Sequence, residues 1–475
     1  MRTRLSILFL MTSSWALAQQ GYNLQFKITG LKDTTVLLAY YYGESTYTKD
    51  TTRVSKNGTF SFQGKESLPE GVYLLALNKT RLFELVIGKD QEFKMETDTA
   101  DYIKHMKVTG DVDNTIFFEN MLHNMDRHKE AEPFLKIIQD STLHDEEKAN
   151  AREQFKKVND KVIKYHKELI RKYPNTVTAK LFKVSQPLEV PEAPRHDDGS
   201  IDSTFQLRWY RQHFFDNLDL GDETMLHLPR PYYSEKINEY FDKLFVPNAD
   251  TIIKEIERIV PKAKANKETY SYIVRTLVIR YQNPDYMGLD EVFVHLNDTY
   301  FATGEMDSWA NEKLKQNIRE HADRLRKSLI GHRGANLIMQ DSSFKPKSMY
   351  DINSKYTVLY FFDPDCGHCK KETPKLVEFY NKNKSRLGIE VYAVSADTSM
   401  QKMKDYINEM HMTFITVNGP RTYVGHYQDL YDSQTTPTLY ILDNKKKIIA
   451  KKIPAERLEE FLTNYEKFNA KSKGG

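Results

Sequence analysis

The chain contains two cysteines in 475 residues, and both lie in one short segment, Cys366-Gly367-His368-Cys369. An exported protein that relies on structural disulfides carries several cysteines distributed along its sequence. A structural disulfide elsewhere in this chain is therefore excluded. Any thiol chemistry of this protein belongs to Cys366 and Cys369.

A strand and a helix are predicted on either side of this segment. Residues 356–362 are almost continuously apolar, which is typical of a central strand buried on both faces. Helix-forming residues begin directly after Cys366, so its sulfur is expected at a helix N-terminus, where unpaired N–H groups and the helix dipole favour a thiolate. Cys369 lies one helical turn further on. That spacing allows Cys369 to attack a mixed disulfide at Cys366 and to release the reduced partner.

Two cysteines could instead form half of a zinc site. Such a site needs further ligands at similarly short spacing, and the sequence near Cys366 offers neither a second cysteine pair nor a histidine pair. His123 and His128 lie on a predicted helix, but their spacing of five does not place both on one face. We therefore predict no metal. We also predict no cofactor, because no nucleotide or flavin motif such as G-x-G-x-x-G is present.

The C-terminal part of the chain alternates strands and helices, which predicts an α/β sheet covered on both faces. Three further features accompany the cysteine pair: Lys370-Lys371-Glu372 directly after it, Pro374 on the predicted helix, and Thr436-Pro437-Thr438 before the apolar residues 439–443. With these features, residues 330–470 resemble the thioredoxin superfamily, and within it the TlpA/ResA-like thiol–disulfide oxidoreductases.

This resemblance implies a thioredoxin fold with Cys366 as nucleophile and Cys369 as resolving thiol. It also implies a cis peptide bond before Pro437, which would present the backbone of Thr436 to an extended substrate chain. Glu372 would be a partly buried acid that transfers protons as Cys369 ionises. The alternative is that Glu372 is an exposed carboxylate on the helix.

The residues around the first cysteine depart from the thioredoxin pattern. Asp365 stands where thioredoxins usually carry Trp, and Tyr360 replaces their buried Asp. Asp365 should raise the pKa of Cys366, but we expect His368 and the helix N-terminus to dominate and lower it, because an exposed Asp is screened by solvent. The Gly367-His368 pair, which we assign to the substrate-binding surface, is typical of protein disulfide isomerases and indicates a more oxidising centre. The ResA-like features indicate a reductase, so both directions stay open.

The sequence before this domain predicts an export signal and two further domains. Residues 1–18 combine two arginines, an apolar stretch and an Ala-x-Ala end, as in a signal peptide, with no cysteine for lipid attachment. Residues 19–111 contain short β-prone runs separated by turns, and residues 112–326 contain amphipathic helical stretches. We predict a multidomain chain with an N-terminal all-β sandwich-like domain, a central α-helical domain and a C-terminal α/β thioredoxin fold over 327–475.

The charge and hydropathy of the chain limit the classes of partner that we expect for this protein. The formal charge of +3 gives no reason to expect nucleic acid or an anionic membrane as a partner. The lysine-rich patches at 445–447 and 451–452 are interpreted as solvated turns. No segment after the signal is apolar for long enough to span a membrane.

We therefore predict protein thiol or disulfide substrates and a protein redox partner, for example a membrane electron donor. The predicted location is the periplasm. The eukaryotic secretory pathway is less favoured, because the chain does not end in a retention signal. The alternative function is an envelope binding or scaffold protein, in which the N-terminal domains hold a partner and the thioredoxin domain is secondary.

Overall fold

The computed structural model describes residues 21–472 except 79, 196 and 420, so the predicted signal peptide lies outside the described residues. The chain divides into two compact units. The first comprises the described residues up to Leu244 together with Lys262–Tyr270, and the second comprises Phe245–Pro261 and the residues from Ser271 onward. The domain boundaries predicted from the sequence remain predictions.

The chain begins with strands that form two four-stranded sheets. The strands are β1 (Tyr22–Thr29), β2 (Thr35–Tyr42), β3 (Ser45–Arg53), β4 (Thr59–Gly64), β5 (Gly71–Leu77), β6 (Thr80–Ile87), β7 (Glu92–Asp98) and β8 (Lys107–Thr109). One sheet has the order β4-β1-β7-β8 and the other β3-β2-β5-β6. Side chains of β1 and β4 alternate between buried and more exposed positions, as expected when one face of a sheet covers a core. The N-terminal β-sheet domain is therefore confirmed.

A helical region follows, as predicted. Its helices are α1 (Val112–Gln139), α2 (Asp145–Lys172), α3 (Val177–Val184), α4 (Phe205–His213), α5 (Tyr232–Leu244), α6 (Ala249–Ile259), α7 (Lys267–Tyr281), α8 (Asp290–Leu296) and α9 (Glu312–Arg326). Helix α1 begins after Asp111, whose side chain accepts hydrogen bonds from the N–H groups of Asp113 and Asn114 and so satisfies two unpaired donors of the first turn. Within the described part of the chain, no helix is both long and apolar enough to cross a bilayer.

The C-terminal domain is an α/β structure built on a mixed sheet. Its strands are β9 (Ile338–Asp341), β10 (Pro346–Ser348), β11 (Tyr356–Phe362), β12 (Ile389–Ser395), β13 (Ile415–Asn418), β14 (Arg421–Thr422), β15 (Gly425–His426), β16 (Thr438–Asp443) and β17 (Ile448–Lys451). Its helices are α10 (Gly367–Leu387), α11 (Met400–Glu409), α12 (Tyr427–Leu430) and α13 (Leu458–Ser472). The sheet order is β10-β9-β13-β12-β11-β16-β17, and β14 and β15 form a separate hairpin.

Strand β11 lies inside this sheet and positions the redox motif. It runs parallel to β12 and antiparallel to β16. All of its residues are buried, as predicted from its apolar sequence, and one side packs under α10 in a core that includes Cys369. The predicted fold class is confirmed.

Two lysines that we interpreted as parts of solvated turns are buried instead. Lys446 and Lys451 are 4% and 6% exposed. The Lys446 ammonium donates to the Thr357 hydroxyl at 2.8 Å, and the Lys451 ammonium donates to the Asp290 carboxylate and to the Ser328 carbonyl oxygen. The interpretation was wrong for these two residues because their partners lie between 89 and 161 residues away in the sequence.

Candidate active site at the start of helix α10

Helix α10 begins directly after Cys366, which follows β11 and a tight turn. The turn forms because the Asp363 side chain accepts from the Asp365 N–H at 2.8 Å, while the Asp363 carbonyl accepts from the Cys366 N–H at 3.1 Å. Cys366 is the N-cap residue, and its sulfur accepts from the Cys369 N–H at 3.4 Å. Its sulfur therefore lies at the positive end of the helix dipole.

The two cysteines are free thiols in different environments. Burial raises the pKa of Cys366, but hydrogen bonds from the Cys369 thiol and N–H outweigh it, so that this pKa lies below its usual value. Burial raises the pKa of the fully buried Cys369 to about 12. Because the thiolate is the reactive form, Cys366 is suited to attack first, while Cys369 stays protonated.

The loop before β16 lies against the first cysteine. The Thr436–Pro437 peptide bond is cis, as expected. The Cys366 thiol donates to the Thr436 carbonyl oxygen at 3.4 Å. Thr436 and Pro437 are half-buried, and Gly367 and His368 are exposed in the first turn of α10. The residues predicted to bind substrate thus include two that follow Cys366 directly and one whose backbone contacts it.

Glu372 is mostly buried, with a side chain that is 13% exposed. One carboxylate oxygen accepts from the Ala455 N–H at 2.5 Å, and the other lies 3.5 Å from the Lys375 ammonium. The hydrogen bond from Ala455 links α10 to the segment that leads into α13. Among the described residues Glu372 makes no hydrogen bond to either sulfur, and its role in proton transfer stays a prediction.

A cation that the sequence analysis missed lies beside the motif. The Lys402 ammonium at the start of α11 is 2.7 Å from the Asp365 carboxylate and 2.9 Å from that of Asp397. These two carboxylates, Asp365 first, raise the pKa of Lys402 above its usual value. The ion pair offsets the negative charge next to Cys366. No local pattern reveals this pair, because its members are 37 residues apart.

A buried cluster of hydroxyl groups occupies the side of the motif where thioredoxins carry their Asp. The Tyr360 hydroxyl lies 2.7 Å from that of Thr373, which in turn lies 2.8 Å from that of Tyr406. Burial raises the pKa of Tyr406 to about 12 and that of Tyr360 still further. The cluster is therefore uncharged at neutral pH. The sequence showed the missing carboxylate but not the hydroxyls that replace it.

The described residues contain no group of three or more His, Cys, Asp or Glu side chains arranged to hold a metal ion. The second unit has a groove of about 870 Å³, lined mainly by residues 282–287 and 451–464. The buried Asp290 and Lys451 are among its lining residues.

Comparison with known proteins agrees with this geometry. A Thioredoxin-like family model matches residues 353–448. Thiol-disulfide oxidoreductase ResA of Bacillus thuringiensis (strain Al Hakam) is 28% identical over 140 residues, which cover 29% of this chain and 78% of that protein. The C-terminal domain belongs to the TlpA/ResA-like group of the thioredoxin superfamily. The resemblance predicted from the motifs is confirmed, and the protein is a thiol–disulfide oxidoreductase.

Two further family models match the residues before the thioredoxin domain. Residues 22–117 and 144–324 match two domains of unknown function, DUF4369 and DUF5106.

Among solved structures, the crystal structure of a domain of a possible thiol-disulfide isomerase from Cytophaga hutchinsonii ATCC 33406 is 37% identical. The match covers 30% of this chain and 97% of that chain, with a TM-score of 0.29. A thioredoxin-like protein from Bacteroides caccae ATCC 43185 is 18% identical, with coverage of 58% and 99% and a TM-score of 0.47.

Proposed function

We propose that this protein reduces disulfides of protein substrates outside the cytoplasm through Cys366 and Cys369. The observation that carries the proposal is the contrast between the two thiols. Cys366 is accessible and has a lowered pKa, whereas Cys369, one turn away, is fully buried with a pKa raised to about 12. This contrast suits one thiol to meet the client and the other to resolve the intermediate.

The reaction has two steps. The Cys366 thiolate attacks one sulfur of a client disulfide, which forms a mixed disulfide and releases the other client sulfur as a thiolate. Cys369 then loses its proton and attacks Cys366, which breaks the bond to the client and closes the Cys366–Cys369 disulfide. The client gains two electrons, and a protein dithiol must later return two electrons to the cysteine pair.

The Thr436 carbonyl supports a protein client rather than a small thiol. Its oxygen lies beside the Cys366 sulfur, where an extended chain that carries the client cysteine can pair with the backbone of this loop. The exposed Gly367 and His368 leave space on the other side, since a side chain at Gly367 would meet no atom within 4 Å.

Reduction of insulin tests the enzyme proposal. We expect the wild-type protein to reduce insulin, Cys366→Ser to be inactive, and Cys369→Ser to accumulate a mixed disulfide with the client. Equal activity of the wild-type protein and Cys366→Ser would contradict the proposal. Glu372→Gln tests the predicted proton transfer, because a role in that step requires slower turnover at unchanged reactivity of Cys366.

The equilibrium potential of the cysteine pair decides the direction. The lowered pKa of Cys366 favours a more oxidising pair, whereas the ResA relatives favour a reductase. We expect a potential below about −250 mV, as for reductases of this fold. A value near −180 mV or above, as in protein disulfide isomerase, would show that the protein acts as an isomerase or oxidant.

Export is part of the proposal, because the predicted signal ends at Ala18. We expect the mature protein from a cell envelope fraction to begin at Gln19. Recovery of the uncleaved chain from the cytoplasm would contradict this. Residues 22–117 and 144–324 match domains of unknown function, and the second candidate role is that the N-terminal domains hold an envelope partner. In that case Cys366→Ser would retain the same partner.

A further inference from the structure

Three buried hydroxyl groups form a chain behind the redox motif. Tyr360, Thr373 and Tyr406 are 0%, 0% and 2% exposed. The Thr373 oxygen lies between the two phenol oxygens, at 2.7 and 2.8 Å. The three hydroxyls carry three protons, but their two hydrogen bonds use only two. One buried proton is therefore left over, and the cluster makes no other hydrogen bond among the described residues.

Donor strength indicates which proton is left over. A phenol is a much better donor than an aliphatic alcohol, and an alcohol oxygen is the better acceptor. Both tyrosines therefore donate to Thr373, and the Thr373 proton has no acceptor within the cluster. A helical threonine often donates to the carbonyl four residues earlier, but Thr373 makes no such bond to Cys369 here.

The residue one turn before Thr373 on α10 is Cys369. Side chains four residues apart lie on the same face of a helix, and both of these side chains are fully buried. The helix face that carries the Thr373 hydroxyl therefore also carries the resolving thiol. An unpaired buried donor is costly, so a use for this proton is expected.

We propose that the Thr373 hydroxyl donates its free proton to the Cys369 sulfur as a hydrogen bond when that sulfur becomes a thiolate. In the dithiol form the Cys369 sulfur accepts one hydrogen bond, from the Asp363 N–H at 3.5 Å, and the Thr373 hydroxyl would be a second donor to it. A charged sulfur accepts far more strongly, and the hydroxyl hydrogen can rotate toward it. This inference rests on the proposed function, because it concerns the second step of the exchange.

In that step the proton and the electrons have defined destinations. Cys369 releases its proton and attacks the Cys366 sulfur of the mixed disulfide. The S–S bond to the client breaks, and the departing client sulfur takes up the electron pair and a proton. The Thr373 hydroxyl keeps its own proton throughout. It stabilises the Cys369 thiolate only between proton loss and bond formation.

Reaction of the reduced protein with 5,5′-dithiobis(2-nitrobenzoate) separates the two steps. Attack by Cys366 releases one coloured thiolate, and attack by Cys369 on the resulting mixed disulfide releases the second. For Thr373→Val, which removes the hydroxyl and keeps the shape, we expect an unchanged first phase. We expect a second phase about tenfold slower, because a hydrogen bond to a charged group contributes at least that factor.

Two variants separate this role from packing. Thr373→Ser keeps the hydroxyl and should retain the second phase of the wild-type protein. Tyr380→Phe removes another hydroxyl of α10, which donates to Glu390 on β12, and should change neither phase. Thr373→Ala replaces Thr373→Val if the latter does not fold.

The outcomes distinguish the two proposals. An equal second phase in the wild-type protein and Thr373→Val overturns this inference and leaves the proposed function intact. Equal slowing by Thr373→Ser or by Tyr380→Phe also overturns it, since packing would then be the cause. Release of no coloured thiolate by the wild-type protein overturns the proposed function itself.

Discussion

Replacement of Lys451 by methionine should destabilise the second compact unit strongly. Lys451 and Asp290 form an ion pair in which each side chain is only 5% exposed. The second carboxylate oxygen of Asp290 is buried without a hydrogen-bond partner among the described residues. Methionine fills nearly the same space as lysine, so the main effect is to leave a buried carboxylate without its cation.

The size of the effect follows from this burial. Removal of one partner from a buried ion pair costs about 3–5 kcal/mol. For a unit of about 150–250 residues, each kcal/mol lowers Tm by about 2–4 °C. Lys451→Met should therefore lower the Tm of the second unit by about 10 °C. The double variant with Asp290→Leu should recover most of that loss, since a buried pair and well-packed apolar side chains are often close in stability.

Calorimetry on the full chain measures these values. The matched control is Lys382→Met, which breaks a pair with Glu459 in which the two side chains are 65% and 38% exposed. We expect no measurable change in Tm for that variant, because solvent screens exposed pairs. The reasoning is refuted if Lys451→Met melts like the control, or if the double variant is as unstable as the single one.

Three further predictions concern ionisation. With a pKa near 12, about one Cys369 in 10⁵ is a thiolate at pH 7. Iodoacetamide should therefore label Cys366 alone. Comparable labelling of both cysteines in peptide mass spectra would contradict this prediction. Lys402→Gln leaves the Asp365 charge without its partner and should raise the pKa of Cys366, seen as a shift of the alkylation midpoint to higher pH; an unchanged midpoint would show that the pair is irrelevant. Burial lowers the pKa of His166 to about 4. As the pH falls from about 6.5 toward 4, the unfolded chain therefore protonates this histidine before the folded chain does, and the free energy of unfolding should decrease. In His166→Gln the unfolding free energy should depend less on pH over this range, and an equal dependence would refute the assignment.

The buried parts of the fold were predictable from the sequence. The run 356–362 appears in the structure as a strand with the predicted bounds, because continuous apolar residues identify strands buried on both faces. Cys366 was placed correctly at a helix start because an apolar strand, a short turn and helix-forming residues follow one another there. These signals are local, and each is contained in fewer than about 12 residues.

The rest could not be predicted because its determinants are distant in sequence or lack hydropathic contrast. Strand β3 was not predicted, because most of its residues are polar and exposed. Its sequence therefore lacks the alternation of apolar and polar residues that identifies a half-buried strand. The buried state of Lys451 depends on Asp290, 161 residues away. The replacement of a carboxylate by Tyr360 was visible, but its partners Thr373 and Tyr406 come from two different helices.

Helix α11 connects the two sides of the redox centre. Lys402 and Tyr406 are four residues apart and so lie on one face of this helix. Lys402 pairs with Asp365, next to the exposed cysteine, and Tyr406 bonds to Thr373, one turn after the buried cysteine. One helix face therefore supplies a charge to the environment of the first thiol and a hydroxyl to that of the second.

This arrangement predicts that a change in the packing of α11 can alter both steps. Met403 lies between the two residues on α11 and is fully buried in the same core as Cys369. Met403→Ala removes packing atoms that hold the helix in place, and it should shift the alkylation midpoint of Cys366 upward and also slow the second phase of the two-step reaction. Lys402→Gln should affect only the first of these measurements and Thr373→Val only the second. If Met403→Ala lowers Tm but leaves both measurements unchanged, the thiol environments do not depend on the position of α11.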